Sequence, residues 1–146
     1  MIAAAARARL VVVPLAAAVL AVGGLLGGCG AQAADIFIIT RAGSTPHAHL
    51  TLLVDEEGNV HCNGTAAHKL SDAELVRARG IQEDLQSLAT QDKTLPPRPG
   101  SVMSYTVRDA EGSVHFSDNS AGQPKALHEL ALFVLKTAQE VCGLPE

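Results

Sequence analysis

A chain of 146 residues with 11 basic and 15 acidic side chains, a net charge of −4 with histidine neutral, and 47 % hydrophobic residues has room for one small domain and little more. The acidic balance argues against nucleic acid as a partner, because neutralising phosphates takes Lys and Arg, and no basic cluster offsets it. With no Trp and only 3 % aromatic residues, the chain also offers little for stacking on sugar rings.

In chain order, Arg7 and Arg9 precede an apolar run over residues 10–26, which ends in Leu26, Gly27, Gly28 and Cys29. A cationic start, an apolar segment and a small-residue cleavage site make a secretory signal peptide. The run is too short and too rich in Ala and Gly to read as a membrane span, which needs roughly 20 apolar residues. Its end, with Leu at −3, small residues at −2 and −1 and Cys at +1, resembles the lipobox of bacterial lipoproteins. The Ala- and Gly-rich style resembles that of small actinobacterial lipoproteins. The lipobox resemblance covers the first 29 residues. It implies that the Cys29 thiol receives a diacylglyceryl group, that residues 1–28 are removed, and that the domain is anchored on the extracytoplasmic face of the cell membrane.

Losing Arg7 and Arg9 with the signal peptide leaves nine basic and fifteen acidic residues, a net charge of −6. Residues 29–34 form the lipidated cysteine and a short tether, and residues 35–146 form one domain. At no more than ~3.6 Å per residue the tether reaches about 20 Å, which points to the membrane and a membrane-proximal envelope protein as partners. Repulsion from anionic headgroups predicts that acidic turns such as 55–57 face away from the membrane. Once Cys29 is assigned to lipid, Cys62 and Cys142 are left in an oxidising compartment. One disulfide is the simplest use of them, two free thiols the alternative.

Residues 35–41 read as a strand by their β-branched and aromatic content. A second strand covers 49–54, a turn 55–59 with Gly58 suited to positive φ, and a third strand 60–62, broken by Asn63 and Gly64. Ser71 and Glu74 have capping-box spacing and open a helix to about Ala89, whose stripe is Leu75, Ala78, Ile81, Leu85 and Leu88. Residues 94–100 hold Pro96, Pro97 and Pro99 and predict an exposed connector, since proline lacks an amide donor. Strands at 102–108 and 114–117 flank a turn at 109–113. Pro124 then opens a second helix reaching Cys142, with Leu127, Leu130, Ala131, Val134, Ala138 and Val141 as its stripe. Residues 55–61 and 109–115 share Asp, Glu, Gly, Val and His at an offset of 54, so a hairpin-plus-helix unit is used twice, or two hairpins chose the same turn chemistry. The order βββαββα predicts a two-layer α+β domain, an antiparallel sheet with both helices on one face.

Six histidines raise the question of a metal. His47 and His49 could share a face, but zinc wants three or four ligands, and His61 falls on the order of 13 Å away along the hairpin. His115 matches His61 in the repeat and reads as a solvated strand position, so no metal site is expected. There is no Gly-x-Ser-x-Gly elbow. Asp118 and His115 near Ser117 and Ser120 suit a turn, and Glu56 and Glu57 sit on a solvated turn tip. The expectation is a binding module of the cell envelope, without enzymatic activity or cofactor.

The 91–101 connector carries Lys93, Leu95 and Arg98 amid its prolines, and a stiff extended segment can bind with less entropy lost. Cys62, Asn63, Gly64 and Thr65, followed by His68 and by Ala73, Glu74 and Leu75, bear a faint resemblance to Streptomyces subtilisin inhibitors. That resemblance implies a protease-inhibitor alternative acting through the 91–101 loop. The chain departs from the family in having no Cys in the helix after His68 and no disulfide bracing that loop; a rigid structural bridge is the other reading.

Overall fold

Apolar side chains in period two, interrupted by turn residues, fold into six strands. The computed structural model describes residues 34–145, and the expected signal peptide, Cys29 and the expected tether up to Ala33 lie outside the described residues. The elements are β1 (Asp35–Gly43), β2 (Leu50–Asp55), β3 (Asn59–Cys62), β4 (His68–Lys69), α1 (Asp72–Ala89), β5 (Met103–Arg108), β6 (Ser113–Ser117) and α2 (Lys125–Lys136), which runs on into a π-helical turn at Thr137–Val141. The sheet order is β4-β3-β2-β1-β5-β6, antiparallel throughout.

This is the expected α+β arrangement with one strand more. β4 is two exposed residues pairing with Asn59 and Val60, too short to leave an alternating pattern. At the other edge the proline-rich connector is less free than its composition suggests. Thr94 bridges to His115 in parallel, with the Leu95 amide donating to the His115 carbonyl at 2.8 Å and the His115 amide donating to the Lys93 carbonyl at 2.8 Å. One edge is thus reduced to a two-residue strand, and the other is met by the connector.

One face of the sheet carries the core. Phe37 and Ile39 on β1, Leu50, Leu52 and Val54 on β2, Val60 and Cys62 on β3, Val107 on β5, and Val114 and Phe116 on β6 are all buried. A bulge after Asp35 also buries Ile36. Both helices lie on that face. α1 buries Ala78, Ile81, Leu85 and Ala89, and its capping box is formed as expected, with the Glu74 amide donating to Ser71 Oγ and the Ser71 amide to Glu74 Oε2. α2 buries Ala126, Leu127, Leu130, Phe133 and Val134. Pro124 occupies the cap position, one residue before the first helical one. The largest side chain of α2 is absent from the expected stripe: Phe133, not Ala131, points into the core and meets Phe37 edge-on, centroids 5.9 Å apart. Cys62 and Cys142 stand at disulfide distance with Cα atoms 6.0 Å apart, joining β3 to the end of the last helical turn.

The 54-residue likeness holds in the turns. Asp55 Oδ1 accepts from the amides of Glu57 and Asn59, and Asp109 Oδ1 from those of Glu111 and Gly112. It does not hold in the arrangement. β2 and β5 run in the same direction on either side of β1, while β3 and β6 lie outward in opposite directions with both helices on one face. Two such units have opposite hands, and no rotation superimposes them. Shared turn chemistry accounts for the likeness.

The Glu56 amide donates to the Ala34 carbonyl at 2.8 Å, so the acidic turn at 55–57 sits beside the start of β1.

Candidate functional site

The phase of β1 that buries Phe37 and Ile39 also buries Arg41, because side chains two apart share a face. Arg41 is 7 % exposed. Its Nε donates to the Ala48 carbonyl at 2.9 Å and its Nη2 to the His47 carbonyl at 3.2 Å. Among the described residues the ion pairs are Arg79 with Glu56 and Lys125 with Glu129, and no carboxylate pairs with Arg41. Two neutral carbonyls thus serve a buried cation that cannot give up its proton. Desolvating an ion costs several kcal/mol unless an opposite charge offsets it.

The loop that supplies those carbonyls is held in an unusual shape. His47 has φ +63°, a left-handed conformation that costs a non-glycine residue roughly 1–2 kcal/mol. The Ala48 amide closes back on the Thr45 carbonyl at 3.2 Å, and Ala48 is buried. Gly43, at the end of β1, is required by close approach: a Cβ there would lie 2.3 Å from the Val102 carbonyl oxygen. Strain, a buried charge and a π-helical turn meet at this end of the sheet, and each is a feature that concentrates at functional sites.

Arg41 opens into a cavity of about 340 Å³ lined also by Thr45, Pro46, His47, Met103, Leu135, Ala138, Gln139 and Pro145. That volume is at the low end of small-molecule sites. Met103, Leu135, Ala138 and the two prolines make the walls mainly apolar, and Leu135 is 42 % exposed at the rim. Tyr105 pairs with Arg41 across β1 and β5 and stacks on Phe116, centroids 4.9 Å apart. Burial raises the Tyr105 phenol above its usual value, against the lowering influence of the Arg41 charge and with a further raise from Asp118.

Asp118 steadies the neighbouring segment, accepting from Ser101 Oγ at 2.7 Å and from the Val102 amide at 3.2 Å, while its own amide donates to the Met103 carbonyl. Burial acts to raise its carboxyl, but these hydrogen bonds hold it below the ordinary 3.8. Asp55 behaves alike: burial raises it, and hydrogen bonds from Asn59 and Glu57 with the charge of Lys69 bring it below 3.8. A carboxyl whose folded value lies below its unfolded one contributes stability above the unfolded value and loses it as pH falls through the folded one. The urea midpoint is therefore expected to be level from neutrality to about pH 5 and to fall from about pH 4 downward. The fall should be shallower when Asp55 and Asp118 are both replaced by Asn; an equal fall in that variant would assign the acid sensitivity to other carboxyls.

The residues singled out from sequence are scattered. Lys93 and Arg98 are exposed, and Leu95 packs against the core. The main chain of the loop is occupied, at 93 and 95 by β6 and at 98 by Asn119, whose Oδ1 accepts from the Arg98 amide and whose Nδ2 donates to the Arg98 carbonyl. His47 lines the cavity, whereas His61 Nδ1 lies 3.0 Å from the Thr65 carbonyl and His115 Nδ1 3.0 Å from Thr106 Oγ1. Among the described residues no three His, Cys, Asp or Glu side chains converge, and no helix is long and apolar enough to cross a membrane. Arg41 was missed by sequence reasoning although its signal was there, in phase with Phe37 and Ile39 on a strand expected to be half-buried. Comparison of the chain with protein-family models, curated proteins and solved structures gave no match.

Proposed function

We propose that the chain is a lipid-anchored, non-enzymatic binding module on the extracytoplasmic face of the cell membrane, which takes up its ligand in the Arg41 cavity. The observation that carries the binding role is Arg41 itself, a buried cation without a described counter-ion, facing an apolar-walled hollow at the strained end of the sheet. The signal peptide and the Leu26-to-Cys29 motif support the address, and a cysteine pair at disulfide distance suits an oxidising compartment. The membrane itself, reached through the lipid, and an envelope protein close to it are the partners this reading implies.

The protease-inhibitor alternative is the weaker reading. Inhibition by a substrate-like loop needs free main-chain groups, and those at 93, 95 and 98 are already paired within the domain.

The address is tested on Cys29→Ala. Acyl labelling should vanish, and the protein should leave the membrane fraction or accumulate as uncleaved precursor; unchanged labelling would refute the anchor. The binding role is tested by photocrosslinking in cells from Leu135, at the cavity rim, against Val76, exposed on α1. The reading expects an Arg41-dependent adduct from Leu135 and none from Val76, and equal labelling from both positions would count against the cavity.

A further inference from the structure

The chemistry of the cavity narrows its ligand, given the reading above that this is where the module binds. We propose that the cavity receives the carboxylate of a small molecule or peptide end with a short apolar body. The carboxylate lies against the Arg41 guanidinium, and the body lies against Met103, Leu135 and Pro46. A guanidinium presents five donors in a planar fork, of which the carbonyls of Ala48 and His47 take two. Charge-assisted bonds to a planar carboxylate use such a fork well, and burial strengthens them. Among the described residues Arg41 is the one lysine or arginine that lines the cavity, so the site suits one negative charge and not several. The mature domain carries a net charge of −6, so its long-range field repels anions and recognition must come from this local geometry. The apolar walls then favour a body such as a short alkyl chain or a leucine side chain over a bare inorganic ion.

The chain provides its own reporter. It has one tyrosine and no tryptophan, so intrinsic emission comes from Tyr105, the strand neighbour of Arg41. The full chain in a neutral detergent micelle is titrated with hexanoate and with N-acetyl-leucine, which separate a free acid from a peptide end. Hexanol, hexylamine and hexyl phosphate serve as controls. At least one carboxylate should give a saturable change that hexanol and hexylamine do not. Affinity should drop by at least about tenfold in Arg41→Met, and less in Arg41→Lys, which keeps charge but loses the fork. Gln139→Glu leaves Arg41 in place and adds a carboxylate at the wall, so it should also abolish the response.

Equal binding of hexanol, tighter binding of hexyl phosphate than of either carboxylate, or unchanged binding in Arg41→Met would each overturn the proposal. If no carboxylate binds while the Leu135 adduct still depends on Arg41, the ligand class is wrong and the binding reading stands; if both fail, the cavity is not the site.

Discussion

Replacing Cys62 and Cys142 together by alanine is expected to lower the unfolding free energy by about 4–5 kcal/mol at the upper end. The bond closes a loop with a sequence separation of 80, and the chain-entropy model assigns that much to the freedom it removes from the unfolded chain. Alanine is preferred to serine because Cys62 is 3 % exposed in the core, where a hydroxyl without a partner adds a separate penalty. For a domain of this size, whose whole stability is of order 5–15 kcal/mol, the loss is a large fraction. Urea unfolding of wild type and variant provides the measurement, with the slope compared first, since freeing the loop also expands the unfolded state. A midpoint that does not move would mean that the two cysteines are not joined. Intact mass gives the independent check: both thiols should be alkylated only after reduction.

Phe133→Ala is expected to cost about 3–5 kcal/mol, the range for removing a buried phenylalanine. Phe133 is 2 % exposed and Phe37 1 %, and their edge-on contact joins α2 to the central strand. The core here has one layer of helices over one sheet, so little can move in to fill the hole. In a double-mutant cycle with Phe37→Ala the pair should show a coupling of about 0.5–1.5 kcal/mol, the part due to ring geometry beyond area burial. A cost below about 1 kcal/mol for Phe133→Ala would mean that the helix repacks, and the contact would then have no special weight. Combined with loss of the disulfide, Phe133→Ala should leave little folded protein, because the two sites act at different places and their costs add.

The contrast between Phe133 and Arg41 shows what was legible in the sequence. Both helices, five of the six strands, the capping box at Ser71 and the cysteine pair follow from local pattern, because each is set by spacing or by residue type at one place. Phe133 escaped because a stripe drawn through Ala131 and Val134 is as good a helical period as one through Leu130 and Phe133, and only the sheet below decides between them. Arg41 escaped for a different reason. The period of β1 placed it on the buried face, but it was the last residue of the expected strand, and a cation is expensive to bury. β4 and the pairing of 93–95 with β6 depend on main-chain partners distant in sequence, which side-chain patterns do not record. The hand of the two hairpins is likewise a property of the assembled sheet, invisible in two matching turns.

β1 also sets a direction for the whole molecule. It enters at Asp35 beside Ala34 and the acidic turn, and it reaches Arg41 six residues later, about 20 Å away along the strand. One strand thus ties a hydrogen-bonded acidic turn at one end of the sheet to a buried cation at the other, so a shift of β1 along its own axis would disturb both ends at once.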